Sequence, residues 1–150
     1  MSTRTPGTGG NRNVKNLPIG PDGQRAWSHG ICSACFGDCR TFCTAWWCPC
    51  IVFGRNKERY QYLSEQGIPD PDAGQGYNRE SCEKHGFHTI VTGFGWVYQV
   101  ALRRKLRERY GIRGSDTSDY CLSFWCNPCA LTQESREMEL EEEDLRSKNV

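Results

Sequence analysis

The stretch Phe42-Cys43-Thr44-Ala45-Trp46-Trp47-Cys48-Pro49-Cys50 returns near the other end of the chain as Tyr120-Cys121-Leu122-Ser123-Phe124-Trp125-Cys126-Asn127-Pro128-Cys129. Each copy runs aromatic, Cys, four residues ending in Trp, Cys, Pro, Cys, and then enters a segment of helical composition. The second copy carries one additional residue, Asn127. Proline in the first helical turn forfeits no hydrogen bond, because an N–H there has no intrahelical acceptor. The Cys before it therefore sits at a helix N-cap and the next Cys in the first turn. Unpaired N–H groups and the helix dipole at that place stabilise a thiolate, which is both a metal ligand and a nucleophile. The pattern is an internal pseudo-repeat, and it predicts two similar helix starts with converging cysteines.

Outward from the repeat, the first copy opens a helix over 49–66, closed by Gly67 in a left-handed position and by Pro69. A second helix is predicted over 89–110, where Ile90, Phe94, Val97 and Ala101 recur at helical spacing and Gly111-Ile112 ends the run. The second copy opens an acidic helix near Pro128 that frays past Leu145. Turn residues place loops at 70–79 and 113–119. Residues 1–24 hold five Gly and three Pro and read as a disordered leader. Residues 25–140 form the cysteine-rich domain, and 141–150 an acidic tail. Between 130 and 150 stand seven acids and three bases, read as a solvated face. The expected fold is a mostly α, small Cys-rich helical domain with metal-tied loops and an internal pseudo-repeat.

Composition narrows the function. The chain has 150 residues, a net charge of +1 and 37% hydrophobic residues, with a mean hydropathy of −0.71. That is one domain, which excludes a multidomain enzyme, and it carries no global charge bias toward nucleic acid or anionic lipid. No apolar run reaches the ~18 residues of a membrane span. The N-terminal segment lacks the apolar core of a secretory signal, so the expected location is intracellular: cytoplasm, nucleus, or the plasma membrane as a peripheral protein. In a reducing compartment, ten cysteines are metal ligands or reactive thiols, whereas a secreted chain would read them as five disulfides.

The candidate ligands are Cys32, Cys35, Cys39, Cys43, Cys48, Cys50, Cys82, Cys121, Cys126 and Cys129. Cys32-x-x-Cys35 and Cys126-x-x-Cys129 have the spacing that lets two sulfurs reach one tetrahedral ion. The division favoured puts Cys32, Cys35 and Cys39, with Cys82 or a histidine, in one site. The other draws on Cys43, Cys48, Cys50, Cys121, Cys126 and Cys129. Soft thiolates select zinc, copper(I) or cadmium over hard cations. Buried neutral thiols, redox thiols and disulfides are the competing readings. His85 and His88 follow Cys82 as C-x-x-H-x-x-H, but each singly reads as structural, His85 leaving a loop and His88 starting a helix. Glu134 and Glu137 share a helix face one turn from Cys129, where the dipole alone accounts for acids; reach toward a metal is the weaker reading. No phosphate loop, HExxH or GxSxG is present, so no enzyme is expected.

Phe87–Leu102 is the most apolar stretch, followed at once by Arg103, Arg104, Lys105, Arg107 and Arg109. Three readings are ordered: a core helix, then peripheral membrane contact through 87–109, then nucleic acid, which lacks any recognition motif.

These residues resemble the cysteine-rich placenta-specific gene 8 family, which includes plant cadmium-resistance proteins, cell-number regulators and cornifelin-like proteins. The resemblance spans about Trp27 to Glu137. It rests on Trp27, the Cys32–Cys39 cluster, Cys43 through Cys50, Phe53-Gly54, Leu106-Arg-Glu-Arg-Tyr110-Gly111-Ile112, and Cys121 through Cys129 with Gln133-Glu134 and Glu137. It implies heavy-metal tolerance by thiolate sequestration or metal-linked signalling, with soft metal ions as partners. It also implies two alternatives: a growth-regulating adaptor with structural zinc and a protein partner, and an oligomeric membrane component for divalent-ion efflux. The short central segment departs from the more apolar one usual in the family and favours a soluble or peripheral form, as in a fungal-type member; the loop 67–81 and the acidic tail look like local additions.

Overall fold

The computed structural model describes residues 9–72 and 75–149. Among them the chain is helical, as expected, with α1 (Ile31–Gly37), α2 (Cys39–Trp47), α3 (Pro49–Gln61), α4 (Arg79–Thr92), α5 (Trp96–Tyr110), α6 (Asp116–Trp125) and α7 (Asn127–Lys148). The cysteine-bearing segments before Pro49 are short helices rather than loops. The only extended pairing among the described residues is an isolated parallel bridge between Arg25 and Ile112.

The pseudo-repeat is a structural repeat. Cys48, between α2 and α3, has φ −139° and ψ 73°, and Cys126, between α6 and α7, has φ −139° and ψ 72°. Each N–H donates back into the preceding helix, to Thr44 at 2.8 Å and to Leu122 at 2.9 Å. The same bend therefore turns the chain at both places. Helix α3 runs to Gln61 and continues as a π-helical turn, Tyr62–Gln66, before Gly67 adopts φ 68°. Arg109 Nη2 donates to the Leu63 carbonyl of that wider turn at 3.1 Å.

Two expectations are corrected. The helix expected over 89–110 is two helices, because Gly93 caps α4 at φ 72° and Gly95 opens α5. Left-handed glycine ends a helix even inside an apolar run. His85 and His88 consequently lie within α4, not at a loop exit and a helix start. The apolar spacing also points the wrong way: Ile90, Phe94 and Val97 are exposed, with Ile90 at 86%. The buried face of α5 is Gln99, Val100, Leu102, Arg103, Leu106, Arg107 and Tyr110.

The acids of α7 are the second correction. They are not a solvated face. Glu134, Glu137, Glu141 and Glu142 are all buried. Glu137 accepts from Arg25 Nη2 at 2.6 Å, Ser28 N at 2.9 Å and Ser28 Oγ at 2.8 Å. Glu141 accepts from Tyr110 Oη at 2.6 Å, Arg109 Nη2 at 2.8 Å and Gly10 N at 2.9 Å. Glu142 takes a two-toothed grip from Arg59 at 2.9 and 2.8 Å. Arg103 lies 4.3 Å from the Trp27 ring centroid and donates to Asp119, Gln133 and Glu134. Around these ions Ala45, Val52, Phe53, Leu63, Leu102, Leu106, Leu131 and Met138 form the apolar core. The leader's residues 9–24 form no helix and reach α7 through Gly10 and through Asn11 N to Asp144 at 2.8 Å. Residues 1–8 of the expected leader, 73–74 of the loop and 150 of the tail lie outside the described residues.

Removing one member of a buried ion pair strands the other, which costs about 3–5 kcal/mol. Glu137→Ala is therefore expected to lower the unfolding free energy measured by urea titration by that much, whereas Glu83→Ala, on the exposed Arg79–Glu83 pair, leaves it essentially unchanged. Equal effects would show that the buried acids are not structural. A pH dependence follows from Glu134. Burial pushes its carboxyl up to about 7 from 4.5, and Arg103, shared with Asp119, only partly opposes this. The folded chain then holds this proton more tightly than the unfolded chain, so the contribution is complete below about pH 4.5 and is lost as pH rises through about 7. Glu134→Gln is expected to raise the melting temperature relative to wild type at about pH 8, the gain shrinking toward about pH 5. A difference that does not vary with pH overturns this assignment.

Candidate thiol site

Five cysteines are exposed and free: Cys32, Cys39, Cys43, Cys48 and Cys121. Cys35, Cys50 and Cys82 are free and half-buried. Cys126 and Cys129 are joined as a disulfide. In that state neither offers a thiolate to a metal.

The first thiol group sits where α1 meets α2. Asp38 separates the two helices and caps α2 by accepting the Thr41 N–H at 3.0 Å. Cys32 and Cys35 lie on one side of α1, and the Cys39 thiol is directed back to the Phe36 carbonyl at 3.5 Å. Burial pushes the Cys35 thiol up, and the neighbouring Cys32 and Cys39 add to the rise.

The second group joins α3 to α4. Gly54 makes it possible: a Cβ there would stand 3.1 Å from the Asn78 carbonyl oxygen and 3.2 Å from Cys82 Cβ, so only glycine lets α4 come this close. Cys50 packs against Gly86, whose Cβ would lie 3.7 Å from its sulfur. Burial pushes the Cys82 thiol up to about 11, reinforced by a hydrogen bond with Cys50, the charge of Cys50 and that of Cys48. Cys82 thus belongs with Cys48 and Cys50, not with the trio on α1 and α2 as the favoured division had it. Crowded thiols that resist ionising together are the situation a cation relieves, since it favours the charged form of each.

The fit to a metal ion is partial. Among the described residues no group of three or more His, Cys, Asp or Glu side chains is gathered closely enough to hold one. The expected convergence of both repeat halves on one point is therefore not seen; the chain offers thiol pairs.

The histidines and acids have other tasks. His85 is buried against Phe53, ring centroids 4.9 Å apart, and burial pushes it down to about 4, so it is neutral at pH 7. Neither of its ring nitrogens has a hydrogen-bond partner among the described residues. His88 lies against Phe87 and Tyr98. His29 Nε2 is met by Lys15 Nζ at 2.9 Å and Arg136 Nη2 at 3.2 Å. Gln133, Glu134 and Glu137 face arginines, so their reach is toward α5 and Arg25 rather than toward a metal.

One feature escaped the sequence reading. The aromatics flanking the cysteines are exposed: Trp47 at 83%, Trp125 at 81%, with Trp46 and Phe124 beside them and Phe87, Ile90, Val91 and Phe94 on α4 and its end. Trp96 meets Tyr120 and Phe124 edge-on, at 5.8 and 5.5 Å. The signal available was the paired aromatics Trp46-Trp47 and Phe124-Trp125 at two helix C-termini. Meanwhile four of the five bases after residue 102 are tied up: Arg103 and Arg107 with Asp119, Arg104 with Asp116, Arg109 with Glu141. No helix among the described residues is long and apolar enough to cross a membrane.

Comparison with known proteins agrees with the residues that carry this architecture. Cell number regulator 11 of Zea mays is 38% identical over 116 residues, covering 75% of this chain and 63% of the relative, which is thus spanned for less than two thirds of its length. Protein PLANT CADMIUM RESISTANCE 2 of Arabidopsis thaliana is 33% identical over 129 residues, 83% of this chain and 74% of the relative. Protein PLANT CADMIUM RESISTANCE 1 of the same plant is 33% identical over 121 residues, 79% and 70%. No solved structure matches. The PLAC8 family model matches residues 27–137, from the Trp27 that stacks on Arg103 to the Glu137 that holds Arg25, and the chain belongs to that family.

Proposed function

We propose that this chain binds soft metal ions (zinc, cadmium or copper(I)) through thiolates of α1–α4 and in that way contributes to heavy-metal tolerance, the property for which its cadmium-resistance relatives are named. The observation that carries the reading is the pairing of Cys50 with Cys82 beside exposed Cys48. An ion there would be held by the Cys50 and Cys82 sulfurs as a pair, with a pair from Cys32, Cys35 and Cys39 as the second place. Bound metal would supply the positive charge that lets neighbouring thiolates coexist; the protein's part is to hold the pairs on rigid helices and to leave a coordination position open for exchange. Metal loading is then reversible uptake rather than a closed structural centre.

A second reading has its own observation. Relatives named cell number regulators point to growth control, and the exposed Trp46, Trp47, Phe124 and Trp125 supply a contact face for a protein partner, a second copy or a membrane surface. Peripheral membrane contact, on this reading, uses the aromatic side of 87–98 and not the bases that follow, four of which are paired within the fold.

The two readings separate by mutation. Cadmium titration of the reduced full chain, followed by thiolate-to-metal ultraviolet absorption, is expected to saturate at one or more ions, with Cys50→Ser/Cys82→Ser losing about half the signal. Cadmium-sensitive cells expressing that double variant are expected to lose tolerance, while Trp47→Ala/Trp125→Ala retains it. No absorption on titration, or tolerance that follows the tryptophans instead of the thiols, overturns the metal reading in favour of the adaptor.

A further inference from the structure

The starts of α3 and α7 share a backbone bend but differ by one residue, and that residue changes what the sulfurs meet. After Cys48 comes Pro49 and then Cys50, so the two cysteines occupy the N-cap and second helical positions. After Cys126 come Asn127 and Pro128, so Cys129 occupies the third. Side chains at the N-cap and third positions face each other, as in a capping box, whereas the second position is rotated away by a third of a turn or so. Accordingly Cys126 and Cys129 are bonded, and Cys50 instead faces Gly86 and Cys82 of α4.

We propose that Cys126-Asn127-Pro128-Cys129 is a thiol–disulfide exchange centre: its dithiol is oxidised by accessible disulfides, and its disulfide is returned to the dithiol by low-molecular-weight thiols, the same exchange run in reverse. Five observations place it. The two cysteines are paired within the start of one folded helix, at its N-cap and third position, so closure needs no refolding. Cys126 makes no side-chain cap, leaving N–H groups of the first turn of a 22-residue helix to favour a thiolate on reduction. Both residues are half-buried rather than sealed. Trp125 and Phe124, exposed beside them, form an apolar platform on which a substrate can lie. Helix α7 is held by the arginine–carboxylate contacts described above, which do not involve these cysteines, so opening the disulfide leaves its frame intact.

The step balances as follows. The Cys126 thiolate attacks one sulfur of a disulfide R–S–S–R′; that bond breaks, R′–S⁻ leaves and takes a proton, and a mixed Cys126–S–S–R bond forms. The Cys129 thiolate then attacks the Cys126 sulfur, expels R–S⁻ and closes the ring. Two electrons pass from the protein dithiol to the substrate, which leaves as two thiols. Cys126 is the attacking residue because it stands outside the helical turn beside Trp125, and Cys129, inside the first turn, is the resolving one. Small disulfides and disulfides of polypeptides share this chemistry. The inference does not rest on metal binding.

The test uses the reduced full chain, in a buffer with a metal chelator, mixed with oxidised glutathione, quenched with acid, alkylated and mapped by mass spectrometry. Cys126–Cys129 is expected to close at least about tenfold faster than any other pair. Cys129→Ser is expected to collect glutathione at Cys126, and deletion of Asn127, which recreates the α3 spacing, to abolish closure. A parallel reaction with insulin as the disulfide probe tells the sources apart: reaction with glutathione alone assigns small disulfides, faster reaction with insulin assigns polypeptides. Closure no faster than at Cys50 and Cys82, or glutathione spread evenly over the exposed thiols, overturns the proposal. The wild-type map gives that answer even where a variant fails to fold.

Discussion

The fold turns on carboxylates buried along one side of α7. Four glutamates within three turns are taken out of water, and each is met by an arginine or tyrosine from a different part of the chain: Arg103 and Arg109 with Tyr110 from α5, Arg59 from α3, Arg25 from the segment before α1. An unpaired charge in such a place costs several kcal/mol, so the arrangement is tolerated only with all partners in place. That condition is directional. A hydrophobic stripe accepts a helix at many rotations, whereas Arg59 reaches both oxygens of Glu142 at only one. The acids of α7 thereby orient α3, α5 and the N-terminal segment together.

A polar interior has a consequence at the surface. The core holds few large apolar side chains, while Trp47, Trp125, Phe36, Phe124, Ile90 and Phe94 are left outside. Trp47, Phe124 and Trp125 stand beside cysteines, because both belong to the repeated junction between a short helix and a long one. Thiols at such junctions are reachable and are carried on a rigid support. Whether the aromatics meet a polypeptide, a lipid surface or another copy, the same contact brings its occupant next to the sulfurs. The exposed thiols and the exposed aromatics of each junction therefore form one surface rather than two.

Much of the local structure was legible. Pro49 and Pro128 mark helix starts, Gly67 and Gly111 mark helix ends, and the structure has them there, with φ 68° and 61°. These are effects of one residue's own backbone, readable without neighbours. The glycine that breaks the run, Gly93, is equally present in the sequence, but the apolar spacing across it masks the break. Periodicity misleads a second time: Ile90 of α4, Phe94 of the link and Val97 of α5 are exposed, and the buried face of α5 carries Gln99, Arg103 and Arg107. The pattern rule assumes that the apolar side is the inner one, and here ion pairing decides otherwise.

By itself, then, the sequence determined the helix starts at Pro49 and Pro128, the ends at Gly67 and Gly111, the repeat at Cys48 and Cys126, and membership of a cysteine-rich family, because each depends on residues close together in the chain. The tertiary structure alone decided which thiols become neighbours. Cys50 meets Cys82 because Gly54 admits α4, and Cys126 meets Cys129 instead of α4 because one extra residue rotates the sulfur toward the N-cap. It decided as well that the acids near the C-terminus are buried and the tryptophans are not. Opposite charges far apart in the chain find each other only when the helices pack, and their mutual attraction in a poorly screened interior outweighs the usual preference for burying carbon.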